Sequence, residues 1–321
     1  MEIVDIYLKS QTHRIVSLDK ARGMLSHAYM LECSDTYVLE HFAMLVAKEI
    51  FCESEQTPCL KCNNCIKVEH SNMVDLKICP KDGKSIVVED INEIVSDSIQ
   101  RPMDGQFKVY ILNNFDKATV QAQNKLLKTL EEPPMNVIFV LTCSNSGNVL
   151  PTIQSRVKSI TENLLDVETL AEFLTGMKIK DSQSVASVSG GSIATALKLS
   201  GGDTKKIVEL AFECLLELRS SADILKFSSK ILALKKDFVF FVDTLISILR
   251  DVAVCETGKI NFKDRKIDIE SLKKIYSADA IRSITSVLCQ IYGKLEFNCN
   301  LTGVVDRMLL DILEVKFLCL K

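Results

Sequence analysis

The sequence predicts an α/β domain with a mostly parallel sheet and helices on both faces, then a small helical segment, then an all-helical C-terminal domain. Three observations predict it. Short apolar runs alternate with helix-periodic segments up to about residue 162. Beyond that point no convincing period-two pattern returns. Four cysteines, Cys52, Cys59, Cys62 and Cys65, cluster inside the alternating region and mark an insertion within it.

The elements follow in order. Residues 27–32 read as a buried strand, and 37–50 as a helix with apolar positions three and four apart. The cysteine segment occupies 51–72, and a short strand, DLKICP, follows at 75–80. Residues 89–100 suit a helix with Asp90 near its start. The strand FKVYILNN covers 107–114, and a helical pattern runs from about 118 to 131 and stops at Pro133-Pro134. The strand NVIFVLTC spans 136–143, and helix signals return near 149–155. Three short helical segments are expected within 166–199, with a turn at Gly190-Gly191 and a linker at Gly201-Gly202. From 204 to 321 the pattern is helical, with loops near 232–236, 256–266 and 292–299. The basic run at 259–276 reads as a mobile, charged connection. Phe240, Phe241, Leu245, Ile246, Leu249, Leu309, Leu310 and Ile312 are apolar material here; the pattern does not divide them between core and assembly surface.

Composition narrows the classes. A chain of 321 residues buries a real core and suggests two or three domains. A net charge of -3 argues against a surface that grips DNA all round, and leaves room for a local basic patch. No apolar run approaches the length of a membrane span, and the first residues, MEIVDIYLKSQTHR, lack a signal-peptide core. A cytoplasmic setting is expected. Most of the twelve cysteines, such as Cys214, Cys289 and Cys319, sit singly in apolar segments and read as small core residues of a reducing compartment.

The clustered four differ. Their spacing is C-x6-C-x2-C-x2-C. A two-residue gap lets two thiolates reach one ion from a tight turn, and four sulfurs close the tetrahedral shell of a structural Zn2+ with no position open for water. Lys61 and Lys67 are placed to ease thiolate formation, and His70 and Cys79 are nearby spares. The alternative is four free or buried thiols.

The strand-to-helix junction after residue 32 has the place of a phosphate-binding loop without its chemistry. It reads Cys33-Ser34-Asp35-Thr36-Tyr37-Val38-Leu39-Glu40. A phosphate cradle uses glycines, then Lys and Ser or Thr. Leu39 cannot neutralise a phosphate, and Glu40 repels one.

The stretch 107–134, FKVYILNNFDKATVQAQNKLLKTLEEPP, is more specific than any periodicity. With HAY at 27–29, the four cysteines and TIQSR at 152–156, it resembles the bacterial clamp-loader subunits of DNA polymerase III, of the AAA+ family. The close match covers 27–160. The resemblance implies an AAA+ P-loop-type domain over 1–162 carrying a four-cysteine zinc module at 52–72. It also implies a small helical lid domain over 163–203 and a helical collar, the oligomerisation domain, over 204–321. It places Cys33, Thr36, Val38, Leu39 and Glu40 where family ATPases have Gly-x-x-Gly-x-Gly-Lys-Thr. It puts Asn113-Asn114 where they have Asp-Glu, and Ala194 where a lid motif, GS-x-R, has its arginine.

No ATP or Mg2+ is therefore expected in the chain's own site. Arg156 survives in a Ser155-Arg156-Val157 variant of the family's Ser-Arg-Cys motif. The resemblance makes it an arginine finger projecting in trans to a neighbour's γ-phosphate. The implied role is a non-hydrolysing loader subunit that is no enzyme by itself, within a holoenzyme that polymerises DNA. Implied partners are the tau/gamma ATPase subunits, the delta subunit, the sliding clamp indirectly, and primer-template DNA in a cytoplasmic, nucleoid-associated complex.

Two further readings concern the helix before Pro133. Lys117, Lys125 and Lys128, with Gln121 and Asn124, form a polar face suited to a DNA backbone, or an ordinary solvated face. Glu131 and Glu132 either end the helix or set subunit geometry through charge complementarity. The competing functions are an ATP-hydrolysing tau/gamma-type subunit, which needs a working phosphate loop, and a zinc-containing nucleic-acid-binding adaptor. The adaptor needs a basic, aromatic surface around 59–67, where the chain has lysines and no aromatic residue.

Overall fold

The computed structural model describes residues 1–80, 85–200, 204–234, 237–257, 260–296 and 300–318. The Gly201-Gly202 linker, Cys319 and parts of the three expected C-terminal loops lie outside the described residues. The chain divides into two compact units, Met1–Leu164 and Leu165–Lys321.

The first unit runs α1 (Ile3–Leu8), α2 (Gln11–Ala21), β1 (Ala28–Glu32), α3 (Thr36–Phe51), α4 (Asn63–Glu69), β2 (Leu76–Cys79), α5 (Val88–Ser98), β3 (Lys108–Leu112), α6 (Val120–Glu131), β4 (Val137–Cys143), α7 (Pro151–Gln154) and β5 (Lys158–Thr161). The strands form one sheet in the order β2-β3-β4-β1-β5, with every pairing parallel. β3 and β4 are buried along their whole length, as parallel strands covered on both faces must be. Strand alternation sends Met30, Tyr110, Leu112, Phe139 and Leu141 into one core with Ile91 and Ile94 of α5 and Ala122, Leu126 and Leu130 of α6. On the other face α3 packs against β1, β3 and β4, and α1, α2 and α4 pack on α3.

The sequence pattern does not announce α1, α2 or β5. The two helices bury only Ile6, Tyr7, Thr12 and Val16, too few apolar positions to stand out in a charged stretch. β5 is a four-residue edge strand that buries Ile160 alone, so it has no apolar run to read.

The second unit is helical throughout its described residues: α8 (Val167–Gly176), α9 (Ser182–Val188), α10 (Ile193–Leu199), α11 (Thr204–Glu217), α12 (Ser221–Leu232), α13 (Phe238–Val254), α14 (Lys266–Ile275), α15 (Ala278–Glu296) and α16 (Leu301–Leu318). One core joins α11 to α16, and Val188 of α9 belongs to it. Phe240, Phe241, Leu245, Leu249, Leu309 and Ile312 are buried in that core, Ile246 packs partly against it, and Leu310 is exposed.

The basic run at 259–276 departs from expectation. It carries a helix, α14, whose Ile269 and Leu272 enter the core three residues apart. The Asp251 carboxylate fixes its approach by accepting the amides of Asn261 at 2.7 Å and Phe262 at 2.8 Å. Its charge is therefore the solvated face of a packed helix.

Candidate functional site

The junction between β1 and α3 is closed from within. β1 ends at Glu32 and α3 begins at Thr36, so only Cys33, Ser34 and Asp35 lie between them. Thr36 to Glu40, where the family's ATPases carry the end of the phosphate loop, are already helix. Asp35 is the N-cap: one carboxylate oxygen accepts the amide of Tyr37 at 2.9 Å and that of Val38 at 3.4 Å. These first-turn amides, with the positive end of the helix dipole, are the groups that hold a phosphate where one binds. Here a buried carboxylate takes them. Cys33, Val38 and Leu39 are buried, while Thr36 and Glu40 face solvent. Leu39, which the resemblance sets against the lysine of family ATPases, is part of the core.

The end of β3 is likewise engaged within the fold. Asn114 adopts a left-handed backbone with φ 52°, a conformation asparagine tolerates better than a glutamate does. Its amide donates to Thr142 Oγ1 at 2.9 Å, and that hydroxyl reaches Asn113 Oδ1 at 3.4 Å. Asp116, two residues on, is buried and accepts a hydrogen bond from Ser144 at 2.8 Å. Both asparagines serve the turn. In the second unit Ala194 lies in the first turn of α10, capped by Ser192, whose hydroxyl accepts the amide of Thr195 at 3.1 Å.

Arg156 lies two residues beyond α7. Gln123 of α6 fixes the segment that leads into α7: buried, it donates to the carbonyls of Ala118 at 3.3 Å and Asn148 at 3.1 Å and accepts the amide of Leu150 at 2.9 Å. Gln154 adds bonds to the carbonyls of Ser146 and Val149, both at 2.8 Å. The backbone under Arg156 is thus pinned, while the guanidinium itself is one-third exposed. It donates to the Thr152 carbonyl at 2.6 Å and pairs with Glu131 at 2.7 Å. The sequence pattern gives Glu131 no partner within the chain.

Lys125 and Lys128 lie on the exposed side of α6 with Gln121 and Asn124, and Lys117 is exposed just before the helix. Ala122, Leu126 and Leu130 occupy its buried side.

The four cysteines converge. The sulfurs of Cys52, Cys59, Cys62 and Cys65 all lie within 4.8 Å of one another. Tetrahedral Zn–S bonds require sulfurs about 3.8 Å apart, and Cys52 and Cys62 stand at 4.0 Å. Backbone amides already point at the sulfurs: Cys59 N at Cys52, Cys62 N at Cys59 and Cys65 N at Cys62, at 3.3–3.5 Å. A hydrogen bond from Ser54, then amides of Lys61 and Cys62, pull the Cys59 thiol down to about 5. Burial, with the Cys62 side chain, pushes Cys65 the other way. The donor set fits one soft divalent cation, whose charge offsets the cost of burying thiolates. Cys79 and His70 lie outside the group.

Lys67, within the cysteine segment, pairs with Asp104 instead. The ammonium that the sulfurs bias is Lys20 of α2, which donates to the carbonyls of Glu49 and Cys52. Burial lowers its pKa, and Cys52, Glu49, Cys65 and Cys62 oppose that shift. Buried Glu49 completes the tie, bonded to Tyr7, to His13 at 3.2 Å and to Thr57 of the cysteine segment at 3.3 Å. Nothing in the local sequence around 52–65 points to residues 7–20.

Comparison with known proteins gives the chain its relatives. Residues 9–164 match the family described as DNA polymerase III, delta subunit. DNA polymerase III subunit delta' of Bacillus subtilis is 27% identical over 326 residues, covering 93% of each chain. The chain is thus similar to DNA polymerase III delta-prime subunits along nearly its whole length, and its first unit matches the delta-subunit family. Related subunits align over less: subunit tau of Escherichia coli is 33% identical over 150 residues, 46% of this chain and 23% of that one. Among solved structures, a gamma subunit-related protein of Thermotoga maritima is 18% identical, with a TM-score of 0.49, covering 95% of this chain and 99% of the other. Against its delta-prime relatives the α/β unit with the sealed β1–α3 junction carries the family match, and the helical unit falls within the full-length alignment.

Proposed function

We propose that this chain is the non-hydrolysing delta-prime subunit of a DNA polymerase III clamp loader, supporting placement of the sliding clamp on primed DNA. The observation that carries the reading is the Asp35 carboxylate seated on the first amides of α3, in the place of a phosphate. A buried Leu39 and the asparagines at the end of β3 support it from the other sides of the same site. On this reading the chain holds neither ATP nor Mg2+ and has no activity of its own.

Its contribution is made at a neighbour. Arg156 acts in trans on the γ-phosphate bound by an adjoining tau/gamma-type ATPase, supplying positive charge as the transferring phosphoryl group gains negative charge. The pinned backbone below Arg156 supports this, because a finger of fixed origin costs little entropy to aim. A lid over 163–203 and a collar over 204–321 complete the organisation. The exposed apolar side chains Leu225, Ile267, Leu310 and Phe317 are the collar's candidates for subunit contact. Lys117, Lys125 and Lys128 follow the backbone of primer-template DNA inside the assembly. The four cysteines hold one structural Zn2+ that braces the α2–α3 face. Among the described residues no helix is long and apolar enough to cross a membrane, and we place the complex in the cytoplasm, with the nucleoid during replication.

The test uses the chain alone and in mixture. With Mg2+ and fluorescent ATP, the isolated chain is expected to show no saturable binding, and it co-purifies with the tau/gamma-type and delta subunits. Tight, Mg2+-dependent capture of ATP by the isolated chain overturns the reading.

A further inference from the structure

Arg156 is not free. Its Nη1 donates to the Thr152 carbonyl at 2.6 Å and to Ser155 Oγ at 3.2 Å, and its Nη2 meets Glu131 Oε1 at 2.7 Å. Three of the five N–H bonds of a guanidinium are thereby used within the chain. The carboxylate also cancels much of the positive field that an approaching phosphate would feel.

Glu131 sits in an unusual place for an acid. It is the last residue of the twelve-residue helix α6, and the amide of Glu132 closes the helix on Lys128. The helix dipole is negative at that end, so a carboxylate there is disfavoured until a cation joins it. Arg156 is that cation. The contact links two stretches 25 residues apart, the Glu-Glu-Pro-Pro exit and the Ser-Arg motif. It is also exposed, with Glu131 48% and Arg156 33% accessible. An exposed pair of this kind is weak and salt-sensitive, which suits a contact that opens and not one that locks.

We propose that Glu131 is an in-chain substitute for phosphate: it holds the Arg156 guanidinium in the unassembled chain and competes for it with the neighbour's γ-phosphate. This rests on the reading of Arg156 as the trans arginine. The terminal phosphate carries more charge than a carboxylate and wins the exchange once it is delivered at contact distance. A nucleoside diphosphate offers no group at that position, so the guanidinium returns to Glu131. The pair thereby sharpens the difference between the triphosphate and diphosphate states of the neighbouring site.

The test is a double-mutant cycle in the reconstituted loader, scored on the ATP concentration for half-maximal hydrolysis and on the maximal rate. Glu131→Gln removes the charge at nearly constant shape. It is expected to lower the half-saturating ATP concentration about two- to fivefold at low salt, the range of an exposed ion pair. The gain fades as salt is raised and is absent when Arg156 is already Ala. A purely structural role for Glu131 gives losses, never this gain. If Glu131→Gln behaves as wild type while Arg156→Ala still slows hydrolysis, the competition is refuted and the finger stands. If Glu131→Gln slows hydrolysis as Arg156→Ala does, Glu131 aims the arginine and the proposal is again refuted. If Arg156→Ala leaves hydrolysis unchanged, the finger reading and the competition fall together.

Discussion

The β1–α3 junction and the corner between α6 and β5 have moved in opposite directions. At the junction, and at the end of β3, polar and apolar side chains alike are engaged within the fold. Asp35 takes the helix amides, Leu39 joins the core, and Asn113 and Asn114 build a turn. At the corner, the amide side chains of buried Gln123 and half-buried Gln154 hold the backbone, and a cation is left within reach of solvent. On the proposed reading the first site binds no ligand, and the second is what the chain offers a partner.

Four changes test that contrast. The largest effect belongs to Arg156→Ala, expected to slow hydrolysis at the adjoining ATPase site on the order of a thousandfold while the chain folds and assembles normally. Single-turnover hydrolysis in the reconstituted complex reads it, and an undiminished rate removes the offered group from the argument. Next is Cys62→Ser. It is expected to lose most of the zinc measured in the purified protein and to raise amide exchange across 52–72 without disturbing the core of the helical unit. Full retention of tightly bound zinc excludes the four-thiolate site. Third, Leu39→Ala is expected to cost about 2–5 kcal/mol in denaturant unfolding, as a buried leucine does. A solvent-facing lysine at the same place in a working phosphate loop would show little loss, so a cost near zero means the junction is open. Smallest is Lys125→Ala. It should weaken DNA binding by the loader a few-fold and reduce the slope of log affinity against log salt by about 1. An unaltered slope returns that side of α6 to ordinary solvation.

Legibility in the sequence follows the range of the interactions. The strands β1, β3 and β4 and the helices α3 and α6 are readable because each buries several consecutive or periodic apolar residues. β5 is not, since an edge strand with one buried residue is recognised only by its partner β1. The charge of the 259–276 run hides α14, whose two core residues, Ile269 and Leu272, are outnumbered by its solvated ones. In the candidate site Leu39, Asn113-Asn114 and the spacing of the four cysteines can be read directly. The contacts around them cannot. Asp35 lies within the motif, but only helix geometry sets its carboxylate against the amides of Tyr37 and Val38. Lys20 reaches the cysteine segment from 32 residues upstream of Cys52, across α2 and α3.

Residue chemistry alone determined what this protein lacks and what it keeps. A leucine cannot neutralise a phosphate, asparagines cannot supply an anionic metal site, four closely spaced thiols bind a soft cation, and an arginine is charged at every physiological pH. Those are properties of side chains and do not wait on a fold. The tertiary structure decided who meets whom: the Asp35 carboxylate on the first amides of α3, the Lys20 ammonium on the Cys52 carbonyl, the glutamate against Arg156. Such contacts depend on through-space distances of a few ångströms between groups far apart along the chain, and the packing of helices on the sheet sets those distances.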